Sequence, residues 1–202
     1  MISQTIDDDL VHTGFHIIDG FLDQAPYQAL SQTIKNMPLH THFKMAKVGR
    51  AATEAHHPTI RNDHISWLAP DDDTWQIFFA AINNIKTILN RSLFLGLDQF
   101  ESHIAIYPPG HFYKKHVDQF KTTQNRRISC VYYFNDHWQP EHGGELTLYN
   151  QDNTMLSVVA PHGNRFICFN SELPHEVMMT YQTRYSIAGW LKTRDGSIHH
   201  NV

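Results

Sequence analysis

Three residues in the second half of the chain have the types and spacing to hold a metal ion: His116, Asp118 and His175. His116-Val117-Asp118 sits in the run FYKKHVD, which reads as a strand, where side chains two apart share a face. An imidazole and a carboxylate can then reach one ion from a single strand. A third ligand must come from elsewhere. His175, in Leu173-Pro174-His175-Glu176-Val177 at the start of another predicted strand, supplies it if the two strands lie side by side. Two imidazoles and one carboxylate on one face of an octahedron leave three positions open, the arrangement of non-haem iron(II) oxygenase sites. His-x-Asp alone occurs by chance in many proteins, so Arg184 carries much of the weight. It opens the apolar strand RYSIAGWLK. A guanidinium at the mouth of an apolar barrel needs an anion, and a bound dicarboxylate pairs with it through two parallel hydrogen bonds. Taken alone, an arginine there is more often a rim residue in a surface ion pair. The company of the three candidate ligands favours the anion-binding role.

The elements that must position these residues fall into two halves. Residues 1–12 read as a loose leader. Phe15, Ile17 and Ile18 begin a short strand that ends near Asp19-Gly20. Residues 24–36 read as a helix with Asp23 as its cap, Pro26 in the first turn, and Tyr27, Leu30, Ile34 and Met37 on one face. Residues 39–63 are polar and irregular, a long loop of the kind that is often functional or mobile. Ile65 and Trp67 suggest a strand. A second helix starts at Asp71 to Asp73, and Trp75, Ile77, Phe78, Ala81, Ile82, Ile85 and Ile88 follow its period to about Leu89. After Gly96 the pattern becomes eight short strands, ESHIAIY, FYKKHVD, ISCVYYFN, GELTLYN, MLSVVA, RFICFN, HEVMM and RYSIAGWLK, separated by turn signals. The expected fold is mainly β: a double-stranded β-helix, or jelly roll, over about 98–192, supported by helices within 21–95, in a single domain of 1–202. Ile128, Val131, Ile167 and Phe169 are candidate apolar walls for the site, and the tail TRDGSIHHNV reads as exposed.

Composition narrows the function classes. The chain has 202 residues, 41% hydrophobic and 18% charged, with a net charge of −4. That balance is ordinary for a globular protein and lacks the basic excess of a nucleic-acid binder. No apolar run is long enough to span a bilayer, and the acidic start MISQTIDDDL is unlike a signal peptide. Cys130 and Cys168, the two cysteines, read as reduced core thiols of a cytoplasmic protein.

Between Tyr107 and Trp190 the residues resemble the prolyl 4-hydroxylase superfamily of 2-oxoglutarate oxygenases. Within it they are most similar to the prolyl hydroxylases that act on hypoxia-inducible factor and to their bacterial relatives. The matching text is Tyr107-Pro-Pro-Gly, Tyr113-Lys-Lys-His116-Val-Asp118, Val131-Tyr-Tyr-Phe-Asn135, His142-Gly-Gly-Glu-Leu146, Pro174-His175-Glu-Val177 and Arg184-Tyr-Ser-Ile-Ala-Gly-Trp190. Upstream, Val48-Gly-Arg-Ala-Ala52 and Ile60-Arg-Asn-Asp63 with Trp67 extend the likeness over most of the chain. The resemblance implies that His116, Asp118 and His175 bind iron(II), and that Arg184 grips 2-oxoglutarate with help from Tyr133 and Tyr107. Dioxygen would be the second cosubstrate, with ascorbate as an accessory. Strand alternation lets only one of Tyr132 and Tyr133 face the site, and the motif selects Tyr133.

Arg61, Asp63, Trp67, Arg126 and Trp190 fall where the family contacts its peptide; each could equally be structural. The loop 39–63 corresponds to a segment that folds over substrate, and its Arg50 and His56-His57 could also simply be solvated. Ala188 is a departure, because the animal enzymes carry a hydroxyl there. The loop after Asp118 is also compact, which bears on substrate selection.

The implied reaction couples decarboxylation of 2-oxoglutarate to hydroxylation, with succinate and carbon dioxide released. The leading substrate is a prolyl residue of an intracellular protein, with the translation machinery as first candidate. Free amino acids or other small metabolites form the nearest alternative. A metal-binding or sugar-binding jelly roll without catalysis is the alternative of another class, but it has no need of Arg184. A nucleic-acid dealkylase shares His-x-Asp and the distal His but carries an Arg-x-Asn-x-Thr-x-Arg run where this chain has RYSIAGWLK. Collagen-type hydroxylases usually have lysine in place of Arg184, and a zinc hydrolase would need a general base that the sequence does not offer.

Overall fold

The computed structural model describes residues 5–39, 43–46, 59–119 and 123–194. In chain order the elements are α1 (Ile6–His12), β1 (Phe15–Asp19), α2 (Gln24–Asn36), β2 (Lys44–Met45), β3 (His64–Trp67), α3 (Gln76–Leu93), β4 (Leu97–Tyr107), β5 (Tyr113–His116), β6 (Arg126–Tyr133), β7 (Leu146–Tyr149), β8 (Met155–Val159), β9 (Arg165–Asn170), β10 (His175–Val177) and β11 (Arg184–Thr193). Two sheets with antiparallel pairings form the molecule. The larger runs β1-β9-β6-β11-β4-β3-β2 and the smaller β5-β10-β7-β8. The expected jelly roll is present, and all eight strands expected after Gly96 appear as β4 to β11.

The two faces of the large sheet bury different cores. On one face the helices pack Leu30, Ile34, Phe78, Ile82 and Leu89 against Ile104, Tyr132, Phe166 and Ile187. On the other, Ala105, Tyr133, Ile167 and Phe169 meet Leu146, Leu148 and Val177 of the small sheet. Neighbouring Tyr132 and Tyr133 enter different cores, as the period of two along a strand requires. Ile128 belongs to the helix side and is not a wall of the site, whereas Val131, Ile167 and Phe169 lie on the side of the small sheet.

Several local expectations are corrected. The expected loose leader contains α1: Ile6 and Leu10, one turn apart, are buried, and Asp7, Asp8 and Asp9 suit the positive end of the helix. Asp23 lies at the N-cap of α2 but makes no side-chain cap. Helix α3 runs a turn past Leu89 to Leu93 and stops where Phe94 turns left-handed at φ 53°. Its Ile77 and Ile88 are exposed, so the buried stripe is narrower than the apolar pattern. Within 39–63, Lys44–Met45 pairs with β3 as an edge strand. Arg50, His56, His57, the Val48–Ala52 motif and the tail 195–202 lie outside the described residues. Among the described residues, no helix is long and apolar enough to cross a membrane.

Candidate active site

Strand pairing brings the first two candidate ligands together. β5 and β10 run antiparallel, with His116 directly opposite His175, and the two rings stand 4.3 Å apart. Asp118 lies two residues beyond the end of β5, in a bend, so the backbone there is not the continuous strand expected. Its carboxylate nonetheless returns to the same place: Oδ1 is 3.6 Å from His116 Nε2, and Oδ2 is 3.4 Å from His175 Nε2. One ligand atom from each of the three residues lies within 4.8 Å of the others.

Each imidazole is held by its far nitrogen. Nδ1–H of His116 donates to the Lys114 carbonyl at 2.8 Å, and Nδ1–H of His175 donates to the Leu173 carbonyl at 2.9 Å. Both Nε2 atoms are thereby turned toward Asp118, the orientation a bound metal requires. Burial and the neighbouring His175 push the His116 imidazole below its ordinary range. For His175 burial acts the same way, but the Asp118 carboxylate outweighs it and the net shift is upward. Burial would raise the Asp118 carboxyl, yet His175 and hydrogen bonds from both imidazoles hold it well below the usual range. The Tyr113 ring stacks on His116 at 3.6 Å and nearly parallel, which fixes the ring plane from the other side.

The site opens on a cavity of about 840 Å³ between the sheets. Arg184 lies deep within it, 1% exposed. Its Nε–H donates to the Gly144 carbonyl at 2.9 Å and one Nη1–H to Ser186 Oγ at 3.1 Å. These bonds use two of its five N–H donors, and no carboxylate pairs with it among the described residues. The rings of Tyr107 and Tyr133 each lie 5.0 Å from its guanidinium. The Tyr133 hydroxyl is buried without a hydrogen-bond partner. A buried cation with unspent donors beside an orphaned phenol is the environment a small dicarboxylate would satisfy. The donor set of two imidazoles and a carboxylate likewise suits iron(II).

Toward the mouth, the remaining predicted residues come together. Arg61 holds Asp63 through both carboxylate oxygens, at 2.6 and 2.9 Å, and packs over Tyr113. Asp63 is 0% exposed and does not itself line the cavity, so it reaches it through Arg61. Trp67, 55% exposed, and Trp190 flank His103, and Arg126 lies 3.5 Å over the Trp190 ring. Glu101 is shared by Arg126 and Lys192.

Sequence reasoning passed over Glu101, His103, Ser129 and Ser186, all of which line the cavity. The signal was strand alternation. Glu101, His103 and Ala105 share a face with Tyr107, as Ser186 and Ala188 do with Arg184. Ser186 places a hydroxyl on the Arg184 guanidinium from two residues away, although position 188 has none.

Residues 102–192 match the 2OG-Fe(II) oxygenase superfamily. Prolyl hydroxylase EGLN3 of Mus musculus is 27% identical over 196 residues, covering 90% of this chain and 79% of that protein. Among solved structures, a prolyl hydroxylase from Trichoplax adhaerens, in complex with a hypoxia inducible factor oxygen degradation domain peptide fragment, superposes with a TM-score of 0.83. It is 26% identical, with 93% of this chain and 87% of that one covered. A Pseudomonas putida prolyl-4-hydroxylase gives a TM-score of 0.82 at 33% identity, covering 94% of this chain and 97% of that one. A third of the residues kept over nearly the full length of two chains is more than a common barrel demands, and this chain belongs to the 2OG-Fe(II) oxygenase superfamily as one of its prolyl hydroxylase-like enzymes.

Proposed function

We propose that this enzyme hydroxylates a prolyl residue presented in a peptide segment, using iron(II) at His116, Asp118 and His175 and 2-oxoglutarate at Arg184. Membership of the superfamily implies iron(II), 2-oxoglutarate and dioxygen as the reacting set. The observation that carries the reading is the buried Arg184, paired with no carboxylate among the described residues, in the same cavity as the His116-Asp118-His175 cluster. Iron bound there would couple oxidative decarboxylation of 2-oxoglutarate to insertion of one oxygen atom into a C–H bond.

The residues around it have separate tasks. Arg184 would take the distal carboxylate through its unspent donors, with the Tyr133 hydroxyl donating a further hydrogen bond. Tyr107 closes the same pocket with its ring. Val131, Leu146 and Phe169 line the inner cavity and exclude water from the reacting centre. Arg61, Trp67, Arg126 and Trp190 form the mouth and would contact the peptide, while Asp63 fixes the Arg61 fork. Support for a peptide comes from the open, aromatic rim and from the Trichoplax relative, which holds a peptide fragment. The unpaired thiols Cys130 and Cys168 support a reducing, cytoplasmic setting, and ascorbate would serve to keep the iron reduced.

The test is anaerobic addition of iron(II) and 2-oxoglutarate. A weak visible charge-transfer band is expected in the wild type, lost in His116→Ala and weakened in Arg184→Ala. Proline-containing peptides, those of the translation machinery first, are then screened for the mass gain of one oxygen atom. Iron bound in stoichiometric amount without a band would overturn the 2-oxoglutarate site. Oxidation of a free amino acid but of no peptide would overturn the peptide reading.

A further inference from the structure

Asp118 is held by more than the two histidines. Ser129 Oγ lies 2.8 Å from Asp118 Oδ2, and Ser171 Oγ lies 2.9 Å from Ser129 Oγ. Both serines are buried. The direction of donation follows from charge. An ionised carboxylate only accepts, so Ser129 donates to it, and Ser129 Oγ is left to accept from Ser171. The result is a chain of two hydroxyls polarised toward one carboxylate oxygen, in surroundings where such chains reinforce each other.

The backbone around the chain is pinned to match. Gln119 N–H donates to the Ser171 carbonyl and Ser171 N–H to the Arg127 carbonyl, both at 3.0 Å. Gln119 Nε2 donates to the Arg126 carbonyl at 3.2 Å. The bend that carries Asp118 is thus tied to the end of β9 and the start of β6. Ser129 itself stands on β6 between Phe169 and Trp190, its register partners in β9 and β11. This answers how a carboxylate two residues past its strand keeps its place opposite two strand-borne imidazoles.

We infer that Ser129, backed by Ser171, is a positioning residue that claims Asp118 Oδ2 and confines the carboxylate to binding the metal through its other oxygen. The consequence concerns coordination number. Binding through both carboxylate oxygens would take one of the three positions that a bidentate keto acid and dioxygen require. This rests on the iron-site reading above, and its test separates the two.

Metal-free protein is titrated anaerobically with cobalt(II), followed by calorimetry and by the cobalt electronic spectrum; 2-oxoglutarate is added afterwards. Ser129→Ala is expected to bind cobalt(II) about 10- to 100-fold more weakly, the usual effect of removing such a partner. Its cobalt spectrum should change, and its 2-oxoglutarate affinity should fall. Ser129→Thr, which keeps the hydroxyl, should restore the wild-type spectrum. Ser171→Ala should give a smaller loss of the same kind, and it tests the chain independently should Ser129→Ala not fold. Wild-type affinity and spectrum in both alanine variants would overturn the relay while leaving the metal site intact. Failure of the wild-type protein to bind cobalt(II) at all would overturn the metal reading and the relay together.

Discussion

At the scale of single residues, the cavity is organised by side chains whose polar groups the protein leaves unspent. Tyr133 is the simplest case. Its ring is fully buried in the inter-sheet core beside the Arg184 guanidinium, and its hydroxyl meets the hydrogen-bond geometry of no partner among the described residues. Tyr133→Phe keeps the packing and removes one hydrogen bond to a charged ligand. We expect 2-oxoglutarate to bind about 1.5–3 kcal/mol more weakly, roughly 10- to 100-fold, when the charge-transfer band is titrated. An unchanged affinity would remove Tyr133 from the site.

His103 behaves differently. It is buried between Trp67 and Trp190, and Arg61 Nη2 faces its Nε2 at 3.4 Å. A guanidinium can only donate, so Nε2 must be the acceptor and the ring neutral. Burial, aided by Arg61, pushes its pKa down to about 3. The unfolded chain binds this proton near the ordinary histidine pKa of about 6.5, so below that value protons favour unfolding. Stability from this group is complete above about pH 6.5 and declines steadily as pH falls toward 3. At pH 5 the loss is about 2 kcal/mol. His103→Gln should flatten denaturant-measured stability between pH 6.5 and 4. An identical slope in the variant would show that His103 titrates normally.

At the scale of elements, the site depends on how closely strands and turns approach. Gly144 sits at φ +70°, its carbonyl bonded to Arg184, and a Cβ there would lie 3.1 Å from the Arg184 Cδ and from Thr180. Gly144→Ala is expected to cost about 1–3 kcal/mol and to weaken 2-oxoglutarate binding at the same time, since the strain falls on the arginine stem. Gly189 on β11 is the contrasting position. Its Cβ would come within 2.7 Å of the Glu101 carbonyl and the Phe100 ring, on the helix side of the sheet. Gly189→Ala should lower the melting temperature with little effect on 2-oxoglutarate affinity. A pair of variants with equal effects on both readouts would contradict this division of the sheet into a supporting face and a working face.

At the scale of the whole molecule, the large sheet is shared between a helix-backed core and an inter-sheet core, so neither stands without it. We propose that the described residues fold as a single domain. Phe78 of α3 stacks on Tyr132, whose strand neighbour Tyr133 enters the site core. Phe78→Ala should cost about 3–5 kcal/mol. Far-ultraviolet helicity and tryptophan fluorescence should still be lost at one common denaturant concentration. Two separated transitions would mean that the helices and the barrel fold as independent units.

What the sequence determined by itself was the set of parts. The period of two along β4 to β11 and the turn residues between them were enough for a jelly roll. His116, Asp118, His175 and Arg184 were legible because their types and spacing have few other uses in combination. Side-chain alternation also assigns Tyr132 and Tyr133 to opposite faces.

Tertiary structure alone decided the rest. The register that sets His116 opposite His175 is a non-local pairing of β5 with β10, and no local pattern encodes it. The bend that carries Asp118 off its strand keeps its aim only through Ser129, Ser171 and Gln119, contacts between residues distant along the chain. Helix α1 is not legible in the sequence because its seven residues bury only Ile6 and Leu10, too little apolar signal to stand out from an acidic stretch. His103 and Ser186 look ordinary in sequence; burial beside Arg61 and Arg184 is what gives them a task, and burial is a property of the packed sheets rather than of either strand.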